Sequence, residues 1–224
     1  MKKTKKILAL ALAAVMLVCT TVAATVAYLQ STDSVKNTFT VGKVEITLDE
    51  TDTDGSKTNV TPGSDPVRDK ANAYKLYPGQ TYEKDPIVHV DAESEDCYVF
   101  VKVVNEISAI ESTENGYTNI ADQILANGWK LLSGNVYYYI GKTTDANYDV
   151  DGAVVEAGAN LNVFEGFKIS GTVDNATLAT YAPVTTGKGN EAVTTYKTIE
   201  ITAYAVQVET FATAVAAWNA TFGK

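Results

Sequence analysis

Histidine is nearly missing from this chain: His89 is the only one among 224 residues. A zinc centre built on two histidines one helical turn apart, with a glutamate to activate water, is therefore excluded. Cysteine is almost as scarce, with Cys19 and Cys97 alone, and neither has a Cys-x-x-Cys partner or a neighbouring histidine that would make it a redox thiol or nucleophile. The chain also lacks a Gly-x-Ser-x-Gly elbow and a glycine-rich phosphate loop ending in lysine. These absences lead to the expectation of a protein that is not an enzyme and has no cofactor. Basic residues are outnumbered too, 18 against 27 acidic ones, for a net charge of −9. That sign repels nucleic acid and anionic lipid and favours cations.

The basic residues that do exist are concentrated at the start. Lys2, Lys3, Lys5 and Lys6 precede an apolar run from Ile7 to Val18, and Thr25 and Ala27 put small residues at the two positions a signal peptidase reads. The run is broken by Cys19, Thr20, Thr21 and Thr25, whereas a spanning helix needs about 20 predominantly apolar residues. A cleaved export signal, residues 1–27, is favoured over a retained anchor, with cleavage between Ala27 and Tyr28. Val18 ahead of Cys19 disfavours lipidation, and no second long apolar run or Leu-Pro-x-Thr-Gly sorting motif follows. The processed protein is thus expected to be extracellular and to have no membrane segment.

Processing at Ala27 leaves 197 residues, enough for a single β domain over 28–224, since such domains commonly reach about 200 residues. Loss of the four leader lysines takes the balance to 14 basic against 27 acidic residues, or −13. Only Cys97 survives, so the mature chain cannot close a disulfide within itself. In Cys97-Tyr98-Val99-Phe100-Val101 it reads as a small, buried strand residue.

Alternation of apolar and polar residues is clear at Val44–Leu48 and Ile199–Val208, and both read as strands. Further strands are expected at 82–84, 87–90, 98–105, 129–132, 136–140 and 162–170. Eight or so short strands punctuated by turn signals imply an all-β protein, a jelly-roll-like antiparallel sandwich with short helical insertions. Tyr77-Pro78-Gly79-Gln80 is a tight turn, with proline fixing φ at its second position and glycine accepting positive φ at its third. Period 2 places Ile87, His89 and Asp91 on one face and Val88 and Val90 on the other. In Val136–Ile140, Val136, Tyr138 and Ile140 point inward while Tyr137 and Tyr139 decorate the outside. Ile120, Ile124 and Leu125 share one helical face that stops at Asn127-Gly128, and Phe211, Val215, Trp218 and Phe222 form a C-terminal helical stripe that packs on the core. The polar stretch 49–72 reads as a long surface loop.

Two acidic runs resemble the opening of a calcium loop. Asp145, Asn147, Asp149 and Asp151 place oxygen ligands at every second position before Gly152, and 50–55 does the same before Gly55. Counted from Asn147 and from Glu50, the twelfth residues are Gly158 and Thr61 rather than the bidentate glutamate of an EF-hand. Ordinary acidic turns are favoured, with calcium as the alternative.

The segment from Ala27-Tyr28-Leu29-Gln30-Ser31 through Asn37-Thr38-Phe39-Thr40-Val41-Gly42-Lys43-Val44 resembles the start of the TasA and camelysin family. Leu76-Tyr77-Pro78-Gly79-Gln80 and the late strand leading to Phe211 and Trp218 are similar to its later landmarks. About half of the mature chain is covered, and 49–72 and 105–160 depart from the family. The resemblance implies export by a dedicated signal peptidase and assembly into surface or biofilm matrix fibres. It further implies that the mature amino-terminal segment of one subunit completes a sheet of the next, making a head-to-tail homopolymer. Tyr28 to Thr38 would be the donor strand, with Tyr28, Leu29 and Val35 as apolar plugs. The metallopeptidase label attached to camelysin finds no ligand pair here. A monomeric secreted module that binds calcium or glycans is the other reading left open.

Overall fold

Two nine-residue strands, β5 (Cys97–Asn105) and β12 (Ile199–Gln207), organise the body of the protein. β5 carries four valines, a tyrosine and a phenylalanine, β12 two isoleucines, a threonine, a tyrosine and a valine, and neither holds glycine or proline, which suits a pleated surface. They pair antiparallel from Ile199 opposite Asn105 to Gln207 opposite Cys97. The computed structural model describes residues 42–56, 67–188 and 191–223, with a few positions of the leader. The chain divides into two units, Met1–Val41 and Gly42–Lys224, and every element below belongs to the second. The cleavage pair Ala27 and Tyr28 and the donor residues Leu29 and Val35 lie outside the described residues. Among the described residues no helix is long and apolar enough to cross a membrane.

The described strands form antiparallel sheets with few helices, an all-β class. β12 and β5 continue into β7 (Val136–Tyr139) and β6 (Trp129–Ser133), giving the order β12-β5-β7-β6. The second four-stranded sheet has the order β2-β1-β4-β8, from β1 (Ile46–Thr51), β2 (Arg68–Asp69), β4 (Ile87–Val90) and β8 (Asn160–Asn162). Two ribbons complete the set: β3 (Thr81–Glu83) with β9 (Gly166–Lys168), and β10 (Val184–Thr186) with β11 (Val193–Thr195). The helices are short: α1 (Ile120–Ala126), α2 (Asn175–Ala179) and α3 (Ala214–Thr221). Each is capped by a side chain, Asn119, Asp174 or Thr213, accepting from the N–H three residues on.

The two larger sheets share one core. Val88 and Val90 of β4 and Leu161 of β8 meet Val99, Val101 and Val103 of β5, with Trp129 and Phe167. The opposite face of β5 is also covered, because Tyr98 and Phe100 join Tyr138, Val206, Ala214 and Ala217 in a second cluster under α3. Rings fix that contact: Trp218 lies 5.1 Å from Phe100 and 5.4 Å from Tyr204. The C-terminal stripe therefore packs on the sheet as its spacing predicts. The turn also forms, with the Gln80 N–H donating to the Tyr77 carbonyl at 3.2 Å and Gly79 at φ 77°.

Four expectations need correction. Segment 49–72 is not a surface loop at its ends: β1 runs on to Thr51, and Asp49, Glu50, Arg68 and Asp69 are buried. The single strand expected over 162–170 is two strands in different sheets, β8 and β9. At its first residue β9 presses against β3 so closely that a Cβ on Gly166 would sit 2.3 Å from the Tyr82 carbonyl oxygen. Leu125 is 49% exposed while Ile120 and Ile124 are buried, so the α1 stripe is narrower than its pattern. Tyr137 and Tyr139 pack half-buried against the main core rather than facing outward, because this sheet is covered on both sides. His89 keeps its expected place, half-buried between buried Val88 and Val90.

Candidate functional site: a groove between two strand edges

The hydrogen bonds flanking β12 show which way its backbone points. Thr198 accepts from the Glu106 N–H at 3.0 Å and the Val208 N–H donates to Asp96 at 3.2 Å. In an antiparallel ladder such pairs recur every second residue, so the even-numbered residues of β12 face β5. Ile199, Ile201, Ala203 and Ala205 then aim N–H and C=O away from it. Among the described residues, β12 has a ladder partner on the β5 side only.

β1 has the same property with opposite parity. The Asp91 N–H donates to Glu45 and the Asp52 N–H to Val67, both at 2.9 Å. Odd residues thus face β4 and even residues face β2, which meets β1 only at Glu50 and Thr51. Ile46 and Leu48 are left with outward backbone groups and no ladder partner among the described residues. Their side chains, like those of Ile199, Ile201 and Ala203, are half-buried against the main core.

Between these two edges runs a groove of about 1140 Å³. It is lined by consecutive residues, 46–50 on one side and 196–203 on the other. A sheet face would contribute alternate residues, so the groove meets the strands at their flanks. Ile107, Phe167, Leu178 and Tyr181 supply an apolar floor. Cα atoms of β1 and β12 come within 8 Å of one another, less than the ~9.6 Å that two ladder spacings require. An incoming strand would pair with one edge rather than bridge both.

One end of the groove is polar, with Asp49, Glu50, Asn72 and Lys84 in its lining; Arg68, Asp85 and His89 are not part of the lining but pair with Asp49 or with one another. Arg68 donates through Nε to Asp49 Oδ1 at 2.5 Å and through Nη1 to Asp85 Oδ2 at 2.9 Å, with Nη2 on the carbonyls of Asp49 and Asp85. Burial opposes the guanidinium charge, but the two carboxylates hold its pKa above the ordinary arginine value. His89 Nε2 is 2.9 Å from the same Asp49 oxygen, and Nδ1 is 2.5 Å from Asn160 Oδ1. Lys84 is paired with Glu50, and Asn72 donates to Glu50 at 2.9 Å. Composition marks 49–72 as polar and alternation ends at Leu48, so nothing in the pattern announces that these charges point inward. The one signal is that Arg68 is the chain's sole arginine, set in an acidic stretch.

The oxygen-ligand candidates serve turns. Asp145 Oδ2 accepts from the Lys142 N–H at 2.7 Å, Asp149 Oδ1 accepts from the Asp151 N–H at 2.9 Å, and Asn147 donates to the Val154 carbonyl at 3.1 Å. Among the described residues, three acidic side chains do converge elsewhere: Asp52, Asp54 and Asp69 have ligand atoms within 4.8 Å of one another. Each also accepts a local backbone N–H, from Gly55, Ser56 and Ala71 respectively. The bond from the Ala73 N–H is the leading cause of an Asp54 pKa below the ordinary carboxylate value. Cys97 is fully buried, and loss of hydration pushes its thiol from 9.0 up to about 11.

Comparison with family models, with curated proteins and with solved structures finds no match to this chain. A functional reading rests on the residues and on the groove.

Proposed function

We propose that this protein is a secreted structural subunit of a surface or matrix fibre. Its body is read as a jelly-roll-like sandwich whose groove accepts an extended amino-terminal segment from a second copy. The observation that carries this is the outward-facing backbone of β12 along a groove with an apolar floor. An exposed row of unpaired N–H and C=O groups is a template for another strand, and alternate side chains of an incoming strand would fill the floor. β12 is the better acceptor because it offers four outward residues, whereas β1 offers two before β2 begins. Donor and acceptor are different surfaces, so the contact propagates head to tail instead of closing a dimer. Residues 28–38 are the donor of the TasA-like reading, freed by signal peptidase after Ala27.

The test compares two soluble forms, one beginning at Tyr28 and one at Asn37. The longer form is expected to sediment as polymers and to show filaments by negative-stain electron microscopy, and the shorter to remain monomeric while binding a peptide of residues 28–38. Identical sedimentation of the two at high concentration sinks the proposal.

A further inference from the structure

At the polar end of the groove a lysine and an asparagine are arranged around a single glutamate carboxylate. Glu50 takes the Lys84 ammonium on Oε2 and the Asn72 amide N–H on Oε1 at 2.9 Å. Lys84 is 7% exposed and Glu50 6%. The ammonium lies 5.9 Å over the ring of Tyr74, which in turn packs edge-on against Phe167 at 5.5 Å. The Asn72 carbonyl is held separately. Its Oδ1 accepts from the Thr53 N–H at 2.7 Å, the Thr53 hydroxyl at 3.0 Å and the Asp54 N–H at 3.3 Å.

We propose that Lys84 and Asn72 become joined by an intramolecular amide bond, with Glu50 carrying the protons and ammonia leaving. A lysine is an effective nucleophile once it has lost its proton in a desolvated site, and keeping two charges out of water is costly. Glu50 accepts one proton from the Lys84 ammonium, leaving an amine beside a neutral acid. The Nζ lone pair adds to Asn72 Cγ, forming the C–N bond as charge moves onto Oδ1. The donors of Thr53 and Asp54 sit where that charge develops, as preorganised oxyanion donors do. Glu50 then relays a second proton from Nζ to Nδ2, the Cγ–Nδ2 bond breaks and ammonia departs. The three ammonium protons end on Glu50, on ammonia and on the new amide nitrogen. Ammonia leaving as ammonium restores the carboxylate. No oxidant or cofactor is required.

Asn72 follows β2, and Lys84 sits between β3 and β4. The bond would close the chain around the Tyr77–Gln80 turn and tie the end of β2 to the strand segment beneath it. An exported chain with one cysteine has no disulfide to do this. The inference uses only Lys84, Glu50, Asn72 and the donors of Thr53 and Asp54, and stands whether or not the groove accepts a strand.

Mass spectrometry of the intact wild-type protein decides it. The expected mass is lower than the sequence mass by one ammonia, which differs from deamidation of Asn72. Trypsin does not cut after an acylated lysine, so digestion should yield a branched species with peptide 71–75 joined through Asn72 to Lys84 of peptide 76–102. Full intact mass with linear 71–75 and 76–84 overturns the proposal, and this reading needs no variant to fold. Glu50→Gln and Lys84→Arg should each restore the unlinked mass, and a linked Glu50→Gln protein would overturn the role given to Glu50.

Discussion

β5 and β12 are aligned residue for residue and both are mostly apolar, yet their surroundings differ sharply. In β5 the first five residues, Cys97–Val101, are all buried, whereas in β12 only Val206 is. Position in the sheet makes the difference. β5 lies between β12 and β7 with a hydrophobic cluster on each face, whereas α3 covers β12 only toward its end, through Tyr204 and Val206. Apolar residues such as Ile199 and Ile201 are therefore left half-buried along an open backbone. The lesson is that an alternating strand can be equally competent to sit inside a sheet or at its rim. What makes β12 a candidate interface is a missing neighbour among the described residues, not its own sequence.

Substitutions should separate the two strands. Phe100→Ala removes a fully buried ring from under Trp218 and is expected to cost about 3–5 kcal/mol in chemical denaturation. A loss no larger than that of an edge substitution would mean that β5 is not the centre of the core. Arg68→Ala leaves the Asp49 carboxylate, which lines the polar end of the groove, buried with one cation fewer, and about 3 kcal/mol or more is expected. A sharper contrast lies within β12 itself. Thr202→Pro deletes an N–H that donates toward β5, breaking the ladder, and should destabilise clearly, while Ala203→Pro deletes an outward N–H and is tolerated better, as proline is at sheet edges. Ala203→Pro should nonetheless abolish binding of the 28–38 peptide by calorimetry; retained binding would remove β12 as the acceptor. Ile201→Ala should cost the isolated subunit only about 1 kcal/mol and weaken the peptide measurably.

Much of this fold is legible from local pattern. The Tyr77–Gln80 turn, the buried pair Val88 and Val90, strand β5 and the aromatic stripe on α3 each follow from a proline–glycine rule or a single period. What is not legible depends on partners distant in sequence. Asp49 and Glu50 lie at the end of a strand in an acidic stretch, and their burial depends on partners such as Arg68 and Lys84, 19 and 34 residues away. The split into β8 and β9 follows from their different partners, β4 and β3, with Gly166 close against Tyr82, pairings no periodicity reports. The groove was implied only by the resemblance, because an open edge is a property of sheet order. The grouping of Lys84, Glu50 and Asn72 is equally invisible, since three separate elements must meet to create it.

The smallest expected effect concerns Cys97, at the buried start of β5 opposite Gln207 on the rim strand. Cys97→Ala removes one small buried atom group and should cost about 1 kcal/mol. The thiol also gives the inner strand a pH signature. Its pKa is raised on folding, from 9.0 to about 11, by loss of hydration first and the nearby Asp96 charge second. A thiol that ionises more readily in the unfolded chain stabilises that chain as pH climbs. Its contribution is therefore complete below pH 9.0 and is lost progressively toward pH 11. Denaturation curves should show wild-type stability falling across that window more steeply than in Cys97→Ala, and a thiol reagent below it should label Cys97 only at the rate of unfolding. Parallel pH profiles for the two proteins, or fast labelling of the native state, would place β5 nearer to solvent than the buried interior described here and would erase the contrast with β12.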